Sequence, residues 1–185
     1  MPKIRTERKD ILRREEVLDT ITKAKDVAAW LPCLIALLWI FGKRISEVLQ
    51  LKREDVYIEG NYLFVRFNVL KKKDRRDSGI QKPYLKRISL GHPGTKHILR
   101  YIETIEKKQS LFPNLSREKA RYWFRKANPN AWFHLFRESL ATKMAEQGAT
   151  EEELMHYFDW DRVDTAHEYV KRGTKLTEKW AERTW

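Results

Sequence analysis

The sequence of 185 residues contains a single cysteine, Cys33. One cysteine excludes an internal disulfide framework and a cysteine-based zinc site. Hydrophobic residues make up 42% of the chain, which at this length is enough to build a core without either kind of support. Because Cys33 lies within an apolar run, we expect it to act as a small buried hydrophobe.

Long apolar segments are also lacking. The longest run, residues 28–41, is too short to cross a bilayer and contains Pro32. The N-terminus is charged and has no apolar stretch typical of a signal peptide. These features predict a cytoplasmic protein with no membrane partner.

Acidic residues are in deficit, with 26 Asp and Glu against 38 Lys and Arg, which gives a net charge of +12. Such a charge creates a positive potential that attracts polyanions. Nucleic acid is therefore the favoured partner, and an anionic membrane surface is the weaker alternative.

The spacing of apolar residues predicts a mostly helical α+β domain with a small three-stranded antiparallel sheet. We expect one domain over residues 1–185, with a core at 11–171 and a C-terminal tail or helix at 172–185. Asp26 is a candidate cap for the helix that ends at Gly42, and Thr150 with Glu153 forms a capping box. The predicted strands are 56–58, 62–70 and 83–90, and the predicted helices are 13–24, the apolar run up to Gly42, 45–51, 94–108, 117–127, 132–147, 151–157, 163–170 and 175–185.

Three side chains are candidates for binding a phosphate. Arg44 opens a short helix after Gly42, and His134 and Arg137 lie three positions apart, so that they share one helical face. The planar guanidinium group matches the oxygens of a phosphate. Taken singly, an arginine at a helix start is usually solvated, and a His-x-x-Arg pair often arises by chance. His134 has no second histidine three or four positions away, which disfavours a metal site.

Together, these motifs resemble those of the tyrosine recombinases, the family of phage integrases and chromosome-dimer resolvases. Residues 42–49, Gly-Lys-Arg-Ile-Ser-Glu-Val-Leu, resemble the first arginine motif, and 134–137 resemble the His-x-x-Arg motif. Residues 157–160, Tyr-Phe-Asp-Trp, stand where the family commonly has Leu-Gly-His, with Trp160 in the last position. Tyr169 follows nine residues later, at the family spacing of the nucleophile. The resemblance covers residues 14–170, and it departs from the family pattern at Phe158-Asp159.

The resemblance implies a catalytic domain that exchanges DNA strands without metal, ATP or other cofactor. Arg44 and Arg137 would neutralise the phosphate, and Tyr169 would attack phosphorus to leave a 3′-phosphotyrosine. His134 would hydrogen-bond the phosphate. Trp160 would pack against the site and donate its indole N–H to a phosphate oxygen. A lysine of the charged hairpin, residues 71–87, would protonate the leaving 5′ oxygen.

The hairpin lysine has three candidates, since Lys71, Lys72 and Lys73 are adjacent. Residues 71–87 carry eight Lys or Arg against two Asp. Continuing the alternation of strand 62–70 selects Lys71, or Lys73 if the strand runs on, and Lys71 is the preferred choice. Other basic residues on the hairpin and on helix 117–127 are expected to contact DNA phosphates: Lys72, Lys73, Arg75, Arg76, Arg121 and Arg125.

The resemblance also predicts binding partners and leaves two alternative functions to be considered. We expect double-stranded DNA as the partner, a tetramer on DNA linked through 172–185, and a DNA-associated protein, in the host cytoplasm if the source is viral. The N-terminal core-binding domain of the family is expected to be absent from these 185 residues, as in an excised catalytic domain or a compact archaeal viral or plasmid integrase. The alternatives are relaxation of DNA in the manner of a type IB topoisomerase, and a non-catalytic DNA-binding regulator derived from a recombinase.

Overall fold

The computed structural model describes residues 11–68 and 84–173, which form eight α-helices, one 3-10 turn and three strands. The mostly helical α+β class with a three-stranded antiparallel sheet is confirmed. In chain order the elements are α1 (Arg14–Ala24), α2 (Leu31–Phe41), α3 (Ile45–Leu49), the 3-10 turn (Arg53–Asp55), β1 (Val56–Glu59), β2 (Tyr62–Phe67), β3 (Tyr84–Ser89), α4 (Thr95–Ile102), α5 (Arg117–Ala127), α6 (Phe133–Glu146), α7 (Glu151–Phe158) and α8 (Val163–Gly173).

The sheet has the order β1-β2-β3, with both pairs antiparallel. Along β2, Leu63, Val65 and Phe67 are buried while the intervening residues are more exposed, as the predicted alternation requires. Lys86 of β3 pairs with Val65, so a charged residue lies on the inner face of the sheet.

Helix α2 forms the centre of the main core and packs against α1, α4 and α6. Ten of its eleven residues are buried, so it is apolar on all sides. Cys33 is one of them, and burial raises the pKa of its thiol. The expectation of a small buried hydrophobe at this position is confirmed.

A second, smaller apolar cluster lies among α6, α7 and α8. Helix α6 contributes to both cores, since Leu135 and Phe136 belong to the main one while Ala141 and Ala145 belong to the second. Helix α8 therefore packs against the C-terminal half of α6, and α7 packs mainly against α8.

Two element boundaries differ from the predictions by more than three residues. Asp26 does not cap α2, which begins at Leu31 after a turn, because Pro32 can occupy a first helical turn but not a helix interior. Helix α4 ends at Ile102 rather than at 108, since the chain then turns and Lys108 adopts a φ of 72°. The capping box of Thr150 and Glu153 is confirmed. The predicted helix 175–185 and the tip of the charged hairpin lie outside the described residues.

Candidate active site

The turn at Gly42 brings two distant segments together. Gly42 ends α2 with a left-handed φ of 57°, as the sequence predicts for a helix stop. A Cβ at this position would lie 2.8 Å from Cε1 of Phe158 and 3.0 Å from Cδ2 of Leu140. Glycine at this position therefore permits both the turn and the close approach of α6 and the end of α7 to the chain two residues before Arg44.

Arg44 is held by the short helix that it precedes. Its backbone N–H donates to Oε2 of Glu47 at 2.8 Å, and its Nη1 donates to Oε1 of the same carboxylate at 3.3 Å. Glu47 is buried, while 46% of the Arg44 side chain is exposed. The carboxylate thus fixes a guanidinium group that remains accessible from solvent.

Arg137 is buried at the junction between the Gly42 turn and the end of α7. It is 3% exposed, its Nη1 donates to the carbonyl oxygen of Gly42 at 2.9 Å, and its Nη2 donates to that of Phe158. Its pKa is lowered to about 10, chiefly by burial and also by the charge of Arg44, while Glu47 and other acidic neighbours oppose the shift. Arg137 therefore stays charged at neutral pH.

His134 lies one helical turn before Arg137, with most of its side chain exposed. Partial desolvation lowers its pKa, Glu138 opposes this shift, and the cations Arg137 and Arg44 add to it. Since the ordinary value is 6.5, the imidazole is neutral at pH 7 and keeps one nitrogen as an acceptor.

Trp160 lies between Phe158, at the end of α7, and Tyr169 of α8, and its ring contacts both. Asp159 adopts a left-handed φ of 54°, and the turned chain lets the Trp160 N–H donate to the carbonyl of Met155 at 3.0 Å. The indole stacks on Phe158, with centroids 4.9 Å apart, and on the half-buried Tyr169, at 5.1 Å. Asp159 can make this left-handed turn although it is not glycine, because aspartate tolerates the left-handed region better than most residues.

The structure brings five of the predicted site residues together. Arg44 and Tyr169 both lie close enough to Arg137 to shift its pKa, and Arg44 also shifts the pKa of His134. The guanidinium carbon of Arg137 lies 5.7 Å from the centroid of the Trp160 ring. The group thus combines two guanidinium groups, a neutral imidazole and a phenol.

The remaining predicted residues fall into two sets. Arg121 and Arg125 are exposed on α5, which turns its buried face towards α1, α2 and α3. The hairpin candidates lie outside the described residues: Lys71, Lys72, Lys73, Arg75 and Arg76.

Two lysines near the site were missed in the sequence. Lys43 donates from its buried Nζ to Oδ2 of Asp159 at 2.6 Å. Lys86 donates from Nζ to the carbonyl oxygen of Tyr157 at 3.1 Å, and burial followed by the charge of Lys43 lowers its pKa to about 8. The available signal was Asp159 itself, which stands where the family that the sequence resembles commonly has glycine.

Within residues 11–68 and 84–173, no group of three or more His, Cys, Asp or Glu is arranged to hold a metal ion. None of the helices in this part of the chain has both the length and the apolarity needed to cross a bilayer.

Comparison with known proteins supports one family. A sequence model described as the phage integrase family matches residues 10–175. Among curated proteins, none matches this chain.

Several solved structures share the fold. XerH site-specific recombinase bound to difH substrate, in a pre-cleavage complex, aligns with a TM-score of 0.64 and 17% identity over 94% of this chain and 52% of its own. XerA recombinase aligns with a TM-score of 0.62 and 15% identity over 100% of this chain and 68% of its own. A lambda integrase dimer bound to a COC′ core site aligns with a TM-score of 0.60 and 16% identity over 97% of this chain and 51% of its own. The chain thus spans about half the length of the XerH and lambda integrase chains.

Proposed function

Because the chain belongs to the phage integrase family, the tyrosine recombinases, we propose that it recombines DNA by cleaving and rejoining strands at specific sites through a 3′-phosphotyrosyl intermediate. The observation that carries the proposal is the convergence of Arg44, Arg137 and Tyr169. Arg137 donates to the carbonyl of Gly42, close to Arg44 in the chain, and lies 5.7 Å from the Trp160 ring, which stacks on Tyr169. These residues come from the α2–α3 turn, α6 and α8, so their proximity exists only in the folded chain.

Arg44 and Arg137 have the properties needed to stabilise a phosphoryl-transfer transition state. Negative charge grows on the nonbridging oxygens, and fixed guanidinium N–H groups neutralise it without reorganising. Arg137 is fixed by two carbonyl oxygens and Arg44 by Glu47. Both arginines are therefore oriented before DNA arrives.

The covalent step uses Tyr169 as the nucleophile. Its phenolic oxygen forms a bond to phosphorus as the bond from phosphorus to the 5′ oxygen breaks, and the phenolic proton passes to a base, for which we propose the neutral His134. The 5′ hydroxyl of the partner strand then attacks the phosphotyrosine and releases Tyr169. The phosphotyrosyl bond conserves the energy of the diester, so neither ATP nor another cofactor is required.

The leaving 5′ oxygen needs a proton, for which we propose Lys71, with Lys73 as the alternative. A 5′-bridging sulfur leaves without a proton, so replacing the proton donor should slow cleavage of an ordinary 5′ oxygen far more than cleavage of the sulfur-substituted strand. Equal slowing of both substrates by Lys71→Ala would exclude Lys71.

We propose double-stranded DNA as the partner, contacted by exposed basic side chains outside the phosphate site. Arg121 and Arg125 are four positions apart on one side of α5, and the net charge of +12 adds a general attraction. The hairpin residues Lys72, Lys73, Arg75 and Arg76 complete the proposed interface.

Assembly into a tetramer on DNA through residues 172–185 is a further part of the proposal. Leu176, Trp180 and Trp185 are the apolar side chains of this segment that could anchor on a neighbouring protomer. Sedimentation on DNA with and without 172–185 tests it, and identical assemblies would refute it.

The proposed function is tested with a pool of duplexes whose central segment is randomised and carries a nick in one strand. Cleavage next to the nick releases a short fragment, so the covalent adduct cannot be reversed and survives denaturing electrophoresis. The pool supplies the target sequence, which is recovered by sequencing the adducts. We expect an adduct with the wild-type chain and none with Tyr169→Phe. A parallel native gel should show weaker binding after Arg121→Gln with Arg125→Gln.

The rival functions give different results in the same experiments. A non-catalytic DNA-binding regulator shifts the duplexes on a native gel but yields no adduct. A type IB topoisomerase-like activity yields an adduct and relaxes a supercoiled plasmid, but it does not exchange strands between two copies of the selected sequence.

A further inference from the structure

The structure points to Lys43 and Asp159 as a positioning pair that holds the segment carrying Trp160, and through it Tyr169, against the two arginines. This inference rests on the proposed function, because Tyr169 matters only if it is the nucleophile. Neither residue would touch the phosphate, and both would act through their sequence neighbours.

The first observation is the location of the pair. Lys43 lies between Gly42 and Arg44, and Asp159 lies between Phe158 and Trp160. Their contact, at 2.6 Å, therefore joins the backbone next to one phosphate-binding candidate to the backbone next to the tryptophan that stacks on the nucleophile. A shift of one segment must be transmitted to the other.

The second observation is how completely the ammonium group is enclosed. The Lys43 side chain is 1% exposed and that of Asp159 is 16% exposed. Nζ of Lys43 also lies 4.7 Å from the ring centroid of Tyr84 and 5.7 Å from that of Phe67. An ammonium group removed from water in this way depends on the Asp159 carboxylate for its stabilisation, because few other groups can solvate it. The position of the carboxylate relative to Lys43 is therefore constrained.

The third observation is that the end of α7 receives three cations from three different elements. Lys86 of β3 donates to the carbonyl of Tyr157, Arg137 of α6 donates to the carbonyl of Phe158, and Lys43 of the α2–α3 turn donates to the carboxylate of Asp159. Cations are stabilising at the negative end of a helix dipole. Of these three contacts, only the one from Lys43 joins two side chains, so it can be removed by substituting either residue.

The arrangement of the cores explains why a polar connection is used here. The apolar cluster of α6, α7 and α8 is separate from the main cluster, so apolar packing alone sets their relative position weakly. A buried ion pair often adds little net stability compared with apolar side chains of the same volume, but it is directional. The pair is therefore expected to contribute to geometry more than to stability.

The test compares Lys43→Met, Asp159→Asn and the double variant in the full-length chain. The substrate is a nicked duplex selected from the randomised pool, used at saturation in single turnover. Asparagine keeps the tolerance for a left-handed φ, so the turn at 159 is preserved. Each single variant leaves one buried charge unpaired and should lose stability, whereas the double variant should recover the wild-type melting temperature.

The decisive result is the rate of adduct formation. We expect the double variant to form the adduct about ten- to a hundredfold more slowly than the wild type, since small displacements of reacting groups have effects of this size. Its affinity for the duplex should be unchanged. The matched control is Lys23→Met with Asp19→Asn, which removes an ion pair whose side chains are 61% and 59% exposed. This control should leave the rate of adduct formation unchanged.

A double variant that reacts at the wild-type rate would overturn the positioning role, and so would a loss of affinity that explains the slower rate. If the wild type forms no adduct, the proposed function fails instead, and hydrogen exchange then tests the pair on its own. The Trp160 amide, which donates to Met155, should exchange faster in the double variant than in the control. Equal protection in both would rule out the pair as a constraint on this segment.

Discussion

The indole ring of Trp160 stacks on the phenol ring of Tyr169, with centroids 5.1 Å apart and planes inclined by 13°. Phe158 stacks against the same indole, and the Arg137 guanidinium lies beside it. The nucleophile candidate is therefore positioned by an aromatic neighbour that is itself fixed to the arginine site. Residue 160 should affect the orientation of Tyr169 without taking part in bond formation.

Replacing Trp160 with alanine should slow adduct formation several-fold, because an aromatic pair contributes about 0.5–1.5 kcal/mol beyond its buried area. Trp160→Phe keeps a stacking ring and should retain most of the rate, although it loses the indole N–H. Single-turnover trapping measures both. If phenylalanine is as damaging as alanine, the hydrogen bond of the indole matters more than the stack.

Gly42→Ala should destabilise the fold strongly, since it combines two costs. Alanine at a left-handed φ costs about 1–2 kcal/mol, and its Cβ would overlap Phe158 and Leu140, which adds about 1–3 kcal/mol of overpacking. Gly60→Ala is the matched control, because Gly60 has a φ of 55° but a Cβ there would meet no atom within 4 Å. Urea unfolding of both variants separates the two costs, and equal losses would mean that the contact with α7 is unimportant.

Lys86 should make the stability depend on pH in the alkaline range. Its pKa is about 8 in the folded chain against an ordinary value of 10.5, so between these values the unfolded state binds more protons and the folded state becomes relatively more stable as pH rises. Lys86→Met lacks this gain. The free energy of unfolding of the wild type should therefore rise relative to that of Lys86→Met from pH 8 to 10.5, as measured by urea unfolding.

The exposed Lys96 provides the control, because Lys96→Met should follow the wild type across the same pH range. A constant difference between wild type and Lys86→Met would show that the ammonium group of Lys86 is not desolvated by the inner face of the sheet.

His134 should titrate below its ordinary pKa of 6.5 in the free protein, because desolvation, Arg137 and Arg44 outweigh Glu138. Arg44→Gln removes one of the cations and should move the pKa upward, whereas Glu138→Gln should move it downward. Histidine ring signals in NMR spectra, followed from acidic to neutral pH, report both shifts. Identical titration curves in all three proteins would place His134 outside the field of Arg44.

Much of the fold could be predicted from the sequence because local patterns and the tertiary structure agree. The alternation of β2, the apolar α2 and the left-handed Gly42 each specify their element through neighbouring residues alone. Helix α4 was predicted too long, because its periodic pattern continues past Ile102 although the chain turns to let the Tyr101 hydroxyl donate to the carbonyl of Leu111.

The candidate site could be assembled from the sequence only where its residues match a motif. Order and spacing selected Arg44, His134, Arg137, Trp160 and Tyr169 as candidates, and the structure places these residues near one another. The ion pair of Lys43 and Asp159 joins residues 116 positions apart. A lysine beside a motif arginine ordinarily predicts an exposed side chain, and only the three-dimensional structure shows that it is enclosed.

The most direct measurement identifies the residue that carries the DNA. The adduct trapped from the randomised pool is digested with nuclease and trypsin, and mass spectrometry then locates the modified peptide. We predict a nucleotide attached through its 3′ phosphate to the peptide of residues 163–171, in which Tyr169 is the only tyrosine. Attachment to another residue, such as Tyr157, or a wild-type chain that yields no adduct, would contradict the assignment of Tyr169 as the nucleophile.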